Sequence, residues 1–185
     1  MRRGLFRSML FVAGCVPLLV RGACFGQIVF IPGPQRTVPT GPQFAAVADF
    51  DGDGIQDAVV SNSTARKVSV LFGSSEGVFR SAVDIPVGRS PRGVTTGDFN
   101  LDLKQDIAVV DPSLNRVFLL LGNGDGTFLS GGGFRVDRRG PQAVATGNFD
   151  EQNGPDLVTA NGFANTITTL LNLGGNRGFR IQPNL

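Results

Sequence analysis

From residue 44 onward, apolar runs of three to five residues alternate with stretches rich in Gly, Pro, Asp and Asn. The runs are β-branched or aromatic. They include Ala58-Val59-Val60, Val68-Ser69-Val70-Leu71-Phe72, Ile107-Ala108-Val109-Val110, Val117-Phe118-Leu119-Leu120-Leu121, Leu157-Val158-Thr159-Ala160 and Ile167-Thr168-Thr169-Leu170-Leu171. That length and composition predict strands, and no window beyond the first 26 residues sustains a helical period. Runs such as 118–121 lack in-and-out alternation, which predicts a sheet covered on both faces.

The pattern repeats. Each unit starts at a Pro-marked turn: Gly41-Pro42-Gln43, then Ser90-Pro91-Arg92, then Gly140-Pro141-Gln142. A first strand follows at 44–48, 93–97 and 143–147, then an acidic loop, then the two apolar strands above. A glycine turn leads to Phe79, Phe128 or Phe179, which is expected to open a fourth strand. Four short strands per unit of about 50 residues is the pattern of a propeller blade. The chain therefore reads as all-β, a partial β-propeller of about three four-stranded blades at 43–90, 91–140 and 141–185, the last incomplete. Residues 27–42 repeat the spacing around Phe79 and Val87 with Phe30 and Val38, and are expected to form the outer strand of an incomplete blade.

The acidic loop carries the candidate chemistry. Residues 49–57 read Asp-Phe-Asp-Gly-Asp-Gly-Ile-Gln-Asp, and the segment returns at 98–106 and 148–156. Side-chain oxygens at the first, third, fifth and ninth positions of so short a loop suit a hard cation such as calcium. The loop is not an EF-hand: its twelfth position is Val60 instead of a bidentate Glu, and strands flank it. Gly122-Asn123-Gly124-Asp125-Gly126 reads as a tight hairpin turn. Phe50, Phe99 and Phe149 are expected in the core.

Composition adds a leader. Arg2, Arg3 and Arg7 precede an apolar run from Met9 to Val20, too short to span a bilayer, and small residues follow at Gly22, Ala23, Cys24 and Gly26. Residues 1–26 read as a cleaved signal peptide, so the mature chain is expected to be secreted or on the cell surface, with no membrane span. Lipid anchoring at Cys15 is the lesser alternative, because Val16-Pro17-Leu18-Leu19-Val20 continues the apolar run beyond that cysteine. Cleavage would remove four arginines, leaving 13 basic against 15 acidic residues and turning a formal +2 into −2. It would also remove both cysteines, Cys15 and Cys24, so no disulfide is available and calcium is the expected staple.

The residues quoted above resemble the FG-GAP/VCBS repeat of integrin-alpha-like propellers. The likeness rests on Asp-Phe-Asp-Gly-Asp-Gly before a strand, Val68-Ser69-Val70-Leu71-Phe72-Gly73, and Leu120-Leu121-Gly122-Asn123-Gly124-Asp125-Gly126-Thr127-Phe128. It covers about 43–180. It implies a β-propeller, commonly of seven blades, with calcium in the loop between a blade's first two strands. The implied ligands are Asp49, Asp51, Asp53, the Ile55 carbonyl and Asp57 in the first loop. In the second they are Asp98, Asn100, Asp102, the Lys104 carbonyl and Asp106, and in the third Asn148, Asp150, Gln152, the Gly154 carbonyl and Asp156. Carboxylates number four, three and two in that order, so affinity is expected to fall along the chain. Leu103 stands where the first loop has Gly54, an expected strain of about 1 kcal/mol if the backbone there is left-handed.

Function follows by elimination and resemblance together. The chain has no His, Tyr or Trp, so histidine triads and histidine-based zinc sites have no residues to form from. The expected role is a non-catalytic, calcium-binding adhesion or binding module for an extracellular protein or glycan. The alternative is part of a polysaccharide lyase or hydrolase; the acids outside the ligand set (Glu76, Asp84, Asp111, Asp125, Asp137, Glu151) show no evident catalytic pair. Arg135, Arg138 and Arg139 are the nearest approach to a basic cluster, and nucleic acid is not an expected partner. Because three blades cannot close a ring, either copies self-associate or the chain belongs to a longer propeller.

Overall fold

The computed structural model describes residues 33–136, 140–175 and 177–182, and the residues from Gly33 on form one compact unit. The leader, Cys15, Cys24, residues 27–32, Asp137, Arg138 and Arg139 lie outside the described residues. Residues 33–41 form no strand, and Pro42 already belongs to the first sheet.

Twelve strands make three antiparallel four-stranded meanders. The first sheet is β1 (Pro42–Ala48), β2 (Asp57–Asn62), β3 (Lys67–Leu71) and β4 (Ala82–Pro86). The second is β5 (Val94–Gly97), β6 (Asp106–Asp111), β7 (Arg116–Gly122) and β8 (Phe128–Arg135). The third is β9 (Pro141–Gly147), β10 (Asp156–Asn161), β11 (Thr166–Asn172) and β12 (Phe179–Ile181). Sequence order equals spatial order in each, as tight turns between short strands require. The sheets stack without closing, as a partial β-propeller.

The first strand of each sheet lies innermost. β1 packs beside β5, and β5 beside β9, and polar threonines link them. The Thr96 hydroxyl donates to the Val47 carbonyl (3.3 Å), Thr146 donates to the Thr96 carbonyl (3.2 Å), and the Thr95 and Thr146 hydroxyls meet at 2.9 Å.

Two cores fill the gaps between sheets. Val59, Val68 and Val70 of the first sheet meet Ile107, Val109 and Leu120 of the second. Ala108, Val110, Val117 and Leu119, on the second sheet's other face, meet Leu157 and Leu170 of the third. The four residues Ile107 to Val110 are all fully buried, so the absence of alternation there reports two covered faces. Each buried Val or Leu contributes about 1.5–3 kcal/mol. On the third sheet, the face equivalent to these covered ones presents Ile167, 63% exposed.

Two aromatic expectations need correction. Phe128 and Phe179 open β8 and β12, but Phe79 lies three residues before β4. The ladder nevertheless continues irregularly past β3, since the Phe72 amide donates to Ser81 (3.0 Å) and the Arg80 amide to Phe72 (2.8 Å). Phe149 is 52% exposed, whereas Phe50 and Phe99 are buried. The reason is positional. Phe128 covers Phe50 edge-on at 5.5 Å and Phe179 covers Phe99 at 6.0 Å, each from the following sheet. Among the described residues no sheet follows the third.

Candidate functional site

All three acidic loops join the first strand of a sheet to the second, so they recur at the same end of each blade. The ninth residue of each is fully buried, being already the first residue of β2, β6 or β10. Its carboxylate is a clamp. One Asp57 oxygen accepts from the Phe50 amide at the loop's start (2.8 Å), and the other from the Gly73 amide beyond β3 (2.8 Å). Asp106 holds Phe99 and Gly122 in the same way (both 2.9 Å), and Asp156 holds Phe149 and Asn172 (both 2.7 Å). A buried amide left without such a partner costs about 1–3 kcal/mol, so the aspartate fixes the loop whether or not an ion is present.

Inside the loops, carboxylates fold back onto the backbone. Asp49 accepts from the amides of Gly52 and Gly54 (both 2.8 Å), and Asp53 from Ile55 (2.8 Å). Asp98 accepts from Asp102 (3.0 Å) and Leu103 (2.8 Å), and Asp102 from Lys104 (3.0 Å). In the third loop Asp150 accepts from Gln152 (3.0 Å), and Asn148 is exposed. These turns need left-handed backbone at two points. Gly52 and Gly54 supply it at φ 74° and 81°, whereas Leu101 (64°), Leu103 (68°), Glu151 (58°) and Asn153 (54°) adopt it with side chains attached. The expected strain at Leu103 is therefore present, and Leu101 adds a second site of about 1–2 kcal/mol.

Charge is crowded beneath the first two loops. Burial pushes the Asp57 carboxyl above its ordinary value, opposed by the Gly73 and Phe50 amides and reinforced by Asp51 and Asp49. Burial raises Asp106 further, to about 6, with Asp102 and Asp98 adding to it against the Gly122 and Phe99 amides. A nearby cation would relieve both.

The first loop has the donor set for one. Asp49, Asp51 and Asp57 each place a carboxylate oxygen within 4.8 Å of the other two. Oxygen ligands lie about 2.3–2.6 Å from calcium, so two ligands of one ion can be no more than about 5 Å apart. Among the described residues this is the one such grouping. Asp53 stands apart from it: Arg80 donates to Asp53 (2.7 Å) and to Asp51 (3.0 Å). Sequence reasoning missed Arg80, because nothing local marks a residue 23 positions after the loop as its neighbour. No comparable three-carboxylate grouping forms from Asp98, Asp102 and Asp106, and at its ligand positions the third loop has only Asp150 and Asp156 to offer.

The first two loops are also backed by the next sheet. The turn Asn123 to Gly126 lies on the first loop, its Gly126 amide donating to the Phe50 carbonyl (3.0 Å). A side chain at Gly126 (φ 80°) would meet the Phe72 ring at 2.6 Å, which is why glycine stands there. On the second loop the Asn172 side chain takes the same part, donating to the Phe99 carbonyl at 2.8 Å. The Asp125 carboxyl in that turn is held below its ordinary value, first by the Thr127 hydroxyl and then by the Thr127 amide.

Among the described residues no helix is long and apolar enough to cross a membrane. Residues 49–109 match the FG-GAP-like repeat family. No curated protein matches the sequence. Among solved structures, the chain is similar to one in the crystal structure of BBS1N in complex with ARL6DN, soaked with mercury. The two are 15% identical at a TM-score of 0.50, over 74% of this chain and 43% of that one. At that identity the likeness is one of fold, and the chain spans less than half the length of its counterpart.

Proposed function

We propose that this chain, whose residues 49–109 form an FG-GAP-like repeat, is a secreted, calcium-binding propeller module that binds an extracellular protein or glycan without catalysing a reaction. The observation that carries the calcium reading is the convergence of Asp49, Asp51 and Asp57 within 4.8 Å, in a loop whose architecture recurs in every blade. Asp49, Asp51 and Asp57 would hold the ion. Its role there is structural: it neutralises carboxylates that otherwise repel one another where two strands begin.

The magnitude is modest. A site with Kd of about 10⁻⁴–10⁻³ M adds roughly 0.4–1.4 kcal/mol at about 1 mM calcium. For a mature chain without cysteines that is a useful increment. The second and third loops are weaker candidates, with fewer carboxylates and with left-handed non-glycine residues already strained. The secreted location rests on residues 1–26 of the sequence, and the binding role on the repeat. The outer face of the third sheet, where Ile167 is exposed, is compatible with a further blade or a second copy completing the ring.

Isothermal titration of the chain with calcium tests this reading. Saturable binding is expected, weakened most by Asp51→Ala, less by Asn100→Ala and least by Asp150→Ala. No heat from calcium at millimolar concentrations would refute it.

A further inference from the structure

We infer that Arg80 is the resident cation of the first acidic loop and competes there with the divalent ion, an inference that rests on the calcium reading above. The geometry is specific. The Arg80 Nη2 donates to Asp53 at 2.7 Å and to Asp51 at 3.0 Å, while its Nε donates to the Gly73 carbonyl at 2.6 Å. Its own backbone is fixed on both sides. The amide donates to the Phe72 carbonyl (2.8 Å), and the Arg80 carbonyl accepts from the Arg36 guanidinium (2.6 Å). The guanidinium is therefore aimed, not merely nearby.

Asp51 is shared: one of its oxygens belongs to the three-carboxylate grouping with Asp49 and Asp57. An ion that takes Asp51 must draw it from Arg80 or share it with a like charge. Either lowers affinity, since like charges a few ångströms apart repel. Among the described residues the other blades lack the device. Phe79, Phe128 and Phe179 are equivalent, so the position of Arg80 is occupied by Leu129 in the second blade and Arg180 in the third. Arg180 makes no ion pair with a described carboxylate. Arg80 thus offsets the carboxylate count that ranks the first loop highest. It also keeps that loop closed when calcium is scarce.

The test follows the Gly52 and Gly54 amides of the full chain by NMR during calcium titration, in wild type, Arg80→Gln and Arg80→Lys. The Asp102 and Leu103 amides report the second loop as an internal control. Losing two part-exposed ion pairs is expected to tighten calcium at the first loop by about 2- to 30-fold in Arg80→Gln. In the same variant the Gly52 and Gly54 amides should exchange faster without calcium. Arg80→Lys, which keeps the charge, should stay near wild type, and the second loop should not change. If the first loop responds to calcium equally in wild type and Arg80→Gln, the inference about Arg80 is wrong while the calcium reading stands. If its amides respond in neither, the calcium reading fails and the competition with it.

Discussion

Asp111 joins the first two sheets, and its replacement by asparagine tests that junction quantitatively. The carboxylate is fully buried at the end of β6. One oxygen accepts from the amides of Arg89 and Ser90 in the connection between the sheets. The other accepts from the Ser113 amide (2.8 Å), the Ser113 hydroxyl (2.6 Å) and the Leu114 amide (3.1 Å). Asp111→Asn keeps the shape but converts one acceptor into a donor. Whichever way the amide turns, two backbone N–H groups lose their partner. At about 1–3 kcal/mol each, softened because a buried charge also disappears, the expected loss is about 2–4 kcal/mol. With a urea slope of about 2 kcal/mol/M, the unfolding midpoint falls by about 1–2 M. The difference should depend on pH. Burial alone would raise the Asp111 carboxyl, but the Ser113 side chain and the amides of Ser90, Arg89 and Leu114 together hold it below its ordinary 3.8. A depressed carboxyl stabilises the fold above its unfolded value, and that stability is lost as pH falls through the folded one. The gap between wild type and Asp111→Asn should be full at pH 7 and shrink below about pH 4. A gap under about 0.5 kcal/mol at pH 7, or one that widens in acid, refutes the reasoning.

Other outcomes follow from single positions. Leu103→Asn should raise calcium-free stability by about 1 kcal/mol, because Leu103 is 93% exposed and left-handed while the equivalent Asn153 already adopts that backbone; a lower urea midpoint would contradict it. Phe50→Ala and Phe99→Ala should each cost about 3–5 kcal/mol and Phe149→Ala under about 1 kcal/mol, because only the first two rings are covered by a following sheet. Equal losses in thermal denaturation would show that Phe149 is covered in solution. Intact mass of the exported chain should show removal of residues 1–26; an unprocessed chain would remove the support for secretion.

Much of the fold is legible in the chain because the repeat is written in residue types with strong local preferences. Pro42, Pro91 and Pro141 punctuate the units, and each ninth-position aspartate leads directly into an apolar strand. What fails is whatever depends on the neighbouring blade. Phe149 reads like Phe50 and Phe99, but burial at this position is decided by a ring about 80 positions further on, Phe128 for Phe50 and Phe179 for Phe99. The turn 122–126 reads correctly as a turn, yet nothing local says that it rests on residues 49–57. Asp57, Asp106 and Asp156 read as ligands, whereas the structure gives each a prior task, holding two amides, that only the register of three strands reveals. Arg80 shows the same limit. Its charge is visible, but its target is set by an irregular β3–β4 connection that displaces the strand from Phe79 to Ala82.

Anomalous scattering from crystals grown in about 5 mM calcium, above the expected Kd range, shows whether the first acidic loop holds the ion. An anomalous peak is expected, bounded by carboxylate oxygens of Asp49, Asp51 and Asp57, with Arg80 drawn back from Asp51. A map without a peak there, with Arg80 still bonded to Asp51 and Asp53, would contradict the calcium reading.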